Sequence, residues 1–176
     1  MKKIIIAVML IAIIACTAAM FTACTPADYN VGIVQHVQHV ALDQTNKGFR
    51  AKLTELLAAD GKTVKFKNNN AGGDVSANTT AAQTLVNQRV DMIFAIATPS
   101  AQAVLSEIKN TQIPMVFSAV TSATEADLVN DMVAGTTDMN DIAKQIDLML
   151  ELVPNADKFG VMYTTSEPNS IIQRDI

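Results

Sequence analysis

Two short runs concentrate the groups able to hold a small polar molecule: Thr98-Pro99-Ser100, wedged between DMIFAIA (91–97) and AQAVLSEIKN (101–110), and Thr121-Ser122, which follows IPMVFSAV (113–120). A helix start leaves backbone N–H groups without internal partners, and its dipole favours negative charge there. A helix opening at Thr98 would therefore offer a carboxylate both N–H groups and the Thr98 and Ser100 hydroxyls. Thr98 suits the N-cap and Pro99 the first helical position, so the plainer alternative is that Thr98 caps only its own helix. For Thr121 and Ser122 the plainer alternative is a solvated turn. His36 and His39 stand three apart, a spacing that suits a metal only with a further ligand. None stands out, so no metal is expected and His39 reads as a polar or stacking wall of a cleft. No nucleophile, histidine base and orienting acid form a set, which argues against an enzyme. Neither a G-x-G-x-x-G nor a P-loop lysine occurs, so no nucleotide cofactor is expected.

These runs need a scaffold that brings them together. YNVGIVQ (29–35), TVKFKN (63–68), DMIFAIA and IPMVFSAV read as strands, the last two continuously apolar as in strands covered on both faces. Helical spacing links Leu42, Phe49, Leu53, Leu56 and Leu57, then Ala77, Ala81 and Leu85, then Ala101, Val104, Leu105 and Ile108. NNNAGGD (68–74) supplies a tight turn, with Asp74 or Ser76 as the following cap. The alternation predicts an α/β class, a Rossmann-like parallel sheet flanked by helices. In such a sheet ligands bind beyond the carboxyl ends of the strands. QHVQH (35–39), TPS (98–100), TSAT (121–124) and TSEPNS (165–170) are the loops expected to converge there.

Past TTDMND (136–141) comes an amphipathic helix with Ile142, Ile146, Met149, Leu150 and Val153, stopped by Pro154. KFGVMY (158–163) reads as another strand and TSEPNSIIQRDI as the start of a helix. A helix breaking off after one or two turns predicts that the chain is a fragment of a longer protein.

The amino terminus reads as an export segment. Lys2 and Lys3 precede the apolar IIIAVMLIAII (4–14), and MFTAC (20–24) ends on a cysteine followed by the polar TPADYN. Residues 1–23 are read as a lipoprotein signal peptide, Cys24 as the lipidated residue and 24–28 as a tether. Cys16 is the rival position, and an uncleaved membrane anchor is the alternative to cleavage. Removing residues 1–23 takes the 13 basic residues to 11 against 17 acidic ones, a net charge of −6. Such a chain lacks the concentrated basic face that nucleic acid requires. With Cys24 as the last cysteine, no disulfide framework holds the fold.

Together YNVGIVQHVQHVALDQTNKGFRAKL, NNNAGGDVSANTTAAQTLVNQRVDMIFAIATPSAQAV, IPMVFSAVT, TTDMND and FGVMYTTSEPNS resemble the substrate-binding lipoproteins of ABC importers. The resemblance is to the tryptophan- and tyrosine-binding group with the type I periplasmic-binding-protein fold. It implies two α/β lobes closing on a small molecule, with residues 29–136 as the first lobe and 137–176 as a crossover and incomplete second lobe. Carried over by position, it implies Gln35, His39, Thr98, Ser100 and Thr121 as first-lobe ligand residues, with Asn169 and Ser170 reaching in from the second. Thr98 and Ser100 would take the carboxylate of an amino acid, and Glu167 or a residue beyond this chain its ammonium. The implied partners are an ABC permease, its ATPase and, through a lipid anchor, the bacterial membrane, with no cofactor. A ligand-sensing ectodomain of a membrane receptor is the alternative.

Overall fold

The computed structural model describes residues 26–176. The leader, Cys16 and the proposed lipidation site Cys24 lie outside the described residues. Five strands form one sheet, β1 (Tyr29–Gln35), β2 (Val64–Asn70), β3 (Met92–Ile96), β4 (Met115–Val120) and β5 (Val133–Thr137), in the order β2-β1-β3-β4-β5. Every neighbouring pair runs parallel, with Ile33 opposite Asn68 on one side and Phe94 on the other. Three helices cover the sheet: α1 (Val40–Ala59), α2 (Val75–Asn87) and α3 (Thr98–Ile108). Among the described residues no helix is long and apolar enough to cross a membrane.

The pleat divides the core. Val34, Ile93, Ala95, Met115 and Phe117 meet Ala81, Ala82 and Leu85 of α2 and Ala101, Val104 and Ile108 of α3 on one face. On the other, Ile33, Phe94 and Ile96 meet Leu42 and Phe49 of α1. Phe49 stacks on Phe94 with ring centroids 3.9 Å apart and meets Phe66 edge-on at 6.4 Å. The expected inward positions of α2 and α3 are buried except Ala77, which is half-buried. α1 has no fully buried residue, and Leu56, expected inward, is 54% exposed.

Asp74 rather than Ser76 caps α2, its Oδ1 accepting from Ser76 N at 2.7 Å, Ser76 Oγ at 2.6 Å and Ala77 N at 3.2 Å. The Ser76 hydroxyl first, then the two amides, hold this carboxyl below its ordinary 3.8. A carboxylate bound in this way stabilises the native state above its unfolded pKa, and the contribution is lost as pH falls through the lower folded value. We expect Asp74→Ala to speed amide hydrogen exchange at Ser76 and Ala77 at neutral pH, and the wild type to approach the variant's rates below about pH 3.8.

The carboxyl-terminal part departs from the sequence reading in two ways. Residues 133–137 form an edge strand that no expectation covered, and 158–163 are not a strand. A strand requires a neighbour to take its amides and carbonyls, and residues 158–163 have none among the described residues. α4 (Ile142–Leu152) forms as expected but buries no residue, leaving Ile146, Met149 and Leu152 at 43%, 49% and 74% exposure. α5 (Pro168–Arg174) is the short helix begun by TSEPNS.

Candidate functional site

The strand order reverses between β1 and β3: from β1 the chain steps outward to β2, then returns past β1 to β3. At such a switch point the two following loops leave in opposite directions and open a crevice at the carboxyl edge. His36 N donates to Ile96 O at 3.3 Å across this point, so the QHVQH loop and the start of α3 lie side by side.

α3 begins differently from the sequence expectation. Its N-cap is Ala97, with φ 81° and ψ 154°, and makes no side-chain cap; Thr98 and Pro99 open the helix. The helix begins one residue early because Ala97 N is held by Ser118 O at 3.0 Å, which fixes the turn in a region that L-residues rarely enter. Freed from capping, Thr98 Oγ1 accepts from Thr121 N at 3.4 Å. The bends after β3 and β4 therefore share one rim. The first helical bond at this end runs from Ala101 N to Ala97 O at 3.1 Å, so the N–H groups of Thr98 and Ser100 precede the ladder.

Beneath the rim lies a closed polar relay. Ser100 Oγ donates to Asn78 Oδ1 at 2.7 Å, and Asn78 Nδ2 sits 2.9 Å from both Asp74 O and His36 Nδ1. Asn78 and Ser100 are wholly buried, and Thr98, Thr121 and His36 are 1%, 4% and 8% exposed. Gln35 is buried as well: its Nε2 donates to Val37 O at 2.9 Å and Asp43 Oδ1 at 2.7 Å, and its Oε1 accepts from Asn46 Nδ2 at 3.0 Å. His39 is the N-cap of α1, its Nδ1 accepting from Ala41 N at 3.3 Å, and its ring is exposed.

Gln35, His39, Thr98, Ser100 and Thr121 thus gather at one edge of the sheet, with the Gln35 amide and the Ser100 hydroxyl engaged internally. Asn169 and Ser170 sit on α5, half-buried. Glu167 caps that helix by backbone only, with no side-chain bond to it. Between this helix and the loop after β4 lies a hollow of about 670 Å³, whose lining includes Ser122, Glu125, Met139, Ile171, Ile172 and Asp175. Its walls combine aliphatic side chains with two carboxylates, Glu125 and Asp175. Among the described residues no group of His, Cys, Asp and Glu is placed to hold a metal ion.

Sequence reasoning passed over Asn78 and weighed His36 only as half of a metal pair. A buried asparagine amid Ala77, Ala81, Ala82 and Leu85 breaks the apolar face of its helix, and that interruption was the available signal.

Residues 30–176 match the family model described as ABC transporter substrate binding protein. The chain is 41% identical over 152 residues to a tyrosine-binding protein of Clostridioides difficile, covering 83% of this chain and 44% of that protein. Among solved structures, an ABC domain from Streptococcus pneumoniae in complex with L-Trp superposes with a TM-score of 0.73 at 33% identity, over 85% of this chain and 52% of that one. A conserved domain protein from Vibrio cholerae gives the same TM-score at 31% identity, over 84% and 51%. The chain spans about half the length of these relatives. A match running from the second residue of β1 to the last residue of the chain takes in every strand and helix of the described fold except the first residue of β1: the chain belongs to the ABC transporter substrate binding protein family.

Proposed function

We propose that the chain is the solute-binding component of an ABC importer, taking up an amino acid, aromatic by preference, outside the cytoplasm and passing it to a permease driven by an ATPase. Residues 29–136 form the first lobe; 137–176 carry the crossover and the start of a second, and Cys24 carries the lipid that tethers the protein to the membrane. The observation that carries this reading is the shared rim, Thr121 N on Thr98 Oγ1, at the carboxyl edge where the sheet order reverses. The N–H groups of Thr98 and Ser100 that open α3 take the solute's carboxylate; Gln35, His39 and Thr121 shape the surrounding wall, and Asn169 and Ser170 approach from the facing side. A relative named for tyrosine and another holding L-Trp support an aromatic amino acid as the cargo.

Ligand at about 100 times its dissociation constant stabilises a one-site protein by roughly 2.7 kcal/mol. L-tyrosine or L-tryptophan is therefore expected to raise the melting temperature in a thermal-shift titration. A flat response to all twenty amino acids, with intact secondary structure by circular dichroism, would refute the assignment. Mass spectrometry of the membrane fraction should find acyl chains on Cys24.

A further inference from the structure

We infer that His36 is a specificity-determining residue of this site: its Nε2–H donates to the carboxylate of the bound solute, and Asn78 positions it by fixing the ring's tautomer. The inference rests on the amino-acid-binding reading above.

Hydrogen-bond accounting around Asn78 leaves one solution. Ser100 Oγ lies 2.7 Å from Asn78 Oδ1, and Asp74 O lies 2.9 Å from Asn78 Nδ2. A backbone carbonyl only accepts, so the amide nitrogen must face Asp74 O; reversing the amide would set two acceptors against each other. The second hydrogen of the same nitrogen points at His36 Nδ1, 2.9 Å away. Nδ1 is then an acceptor, and in a neutral imidazole the single ring proton must sit on Nε2.

His36 is 8% exposed, yet Nε2 makes no hydrogen bond among the described residues and is not among the sealed, unpartnered polar atoms. Nε2 therefore keeps some access to solvent on a residue that is otherwise buried. Its backbone places it at the β1–β3 switch point, bonded to Ile96 O, beside the start of α3. The donor thus stands on the loop that runs beside the start of α3, and an anionic oxygen is the acceptor that suits both a neutral N–H and the positive end of the helix dipole. Burying the ring and locking its tautomer removes the reorganisation that an exposed histidine such as His39 would undergo on binding.

The chain contains only two histidines, so long-range proton–nitrogen spectra of the imidazoles show two rings, told apart with His39→Asn. In the ligand-free protein the His36 Nδ1 is expected to resonate as an unprotonated nitrogen and Nε2 as a protonated one. L-tryptophan should then shift Nε2, while L-tryptophanamide, which lacks the carboxylate, should leave it in place. Asn78→Asp cannot donate to Nδ1 and should move the ring proton there, a change that a purely structural asparagine would not produce. Should that variant fail to fold, His36→Asn tests the contact alone: it keeps an acceptor for Asn78, loses the distal donor, and is expected to weaken L-tryptophan binding about tenfold. His36→Gln, which restores a distal N–H, should recover most of that loss. A protonated Nδ1 in the wild type, a response of Nε2 to both ligands alike, or unchanged affinity in His36→Asn would each overturn the inference while leaving amino-acid binding intact. Absence of binding by the wild type to any amino acid would instead remove the underlying reading, and the carboxylate contact with it.

Discussion

Replacing Asn78 with leucine is expected to destabilise the protein by about 3 kcal/mol, although the two side chains are of similar size and the position is wholly buried. On volume and hydrophobicity alone the change should be favourable. What decides the sign is that Ser100 Oγ, also fully buried, and His36 Nδ1 both lose their partner, each at a desolvation cost of about 1–3 kcal/mol. Asp74 O is spared, because it still accepts from Asn78 N at 3.3 Å and the leucine retains that amide. Ser100→Ala in the Asn78→Leu background should restore part of the loss, because it deletes a hydroxyl that no longer has a partner. The pair should therefore be non-additive by more than about 0.5 kcal/mol, the scatter expected for independent sites. Urea midpoints of the two single variants and the double variant measure this directly. Strict additivity, or a cost below about 1 kcal/mol for Asn78→Leu, would mean that water satisfies the relay.

This relay also marks the limit of what could be read from the sequence. The scaffold was legible because it rests on local signals: short β-rich runs for β1 and β2, continuously apolar ones for β3 and β4, helical spacing in α2 and α3, and a cap at Asp74 or Ser76. β5 was not legible. VAGTT is short, and its outer residues are exposed, so neither apolar continuity nor alternation announced it; pairing with β4 makes it a strand. KFGVMY failed in the opposite sense. Its β-rich composition is a preference for a pleated, partly covered surface, and among the described residues no such surface is present for it to join.

In the loops at the carboxyl edge of the sheet the structure departs from the sequence reading in what the polar groups do. Thr98 was expected to cap α3, but the cap fell to Ala97 because the Ser118 carbonyl holds its amide in a conformation unusual for alanine. Ser100 was expected to face a solute with its hydroxyl and instead directs it inward to Asn78, a residue 22 positions earlier in the chain. Such pairings cannot be inferred from spacing, since they depend on how two helices settle against one sheet. The residues that remain free to meet a ligand are consequently set by subtraction. Once the relay, the caps and the Gln35 network are satisfied, Nε2 of His36 is among the polar atoms there that make no hydrogen bond among the described residues.

Introducing a single methyl at Gly135 is expected to cost about 3 kcal/mol, at the upper end of overpacking effects. Gly135 lies on β5 opposite Phe117 of β4. A β-carbon there would fall inside 3.0 Å of the Phe117 carbonyl oxygen and of two atoms of its ring. The oxygen belongs to the backbone of an interior strand and cannot swing aside, while the ring is 5% exposed and packed into the main core. Relief must therefore come from β5, which has no strand on its other side among the described residues. Displacing β5 would loosen two further attachments of the segment leading out of the sheet: Ser118 Oγ with Thr136 Oγ1 at 3.1 Å, and Asp138 N to Val120 O at 2.9 Å. Gly135→Ala should consequently lower the urea midpoint and, under native conditions, accelerate hydrogen exchange at Asp138 more than in β1 or β3. Ala134→Val, one residue earlier on an exposed position, should stay within about 0.5 kcal/mol of the wild type. Equal effects of the two substitutions would contradict close packing of Phe117 against Gly135 and detach the path of residues 136–141 from the register of β4 and β5.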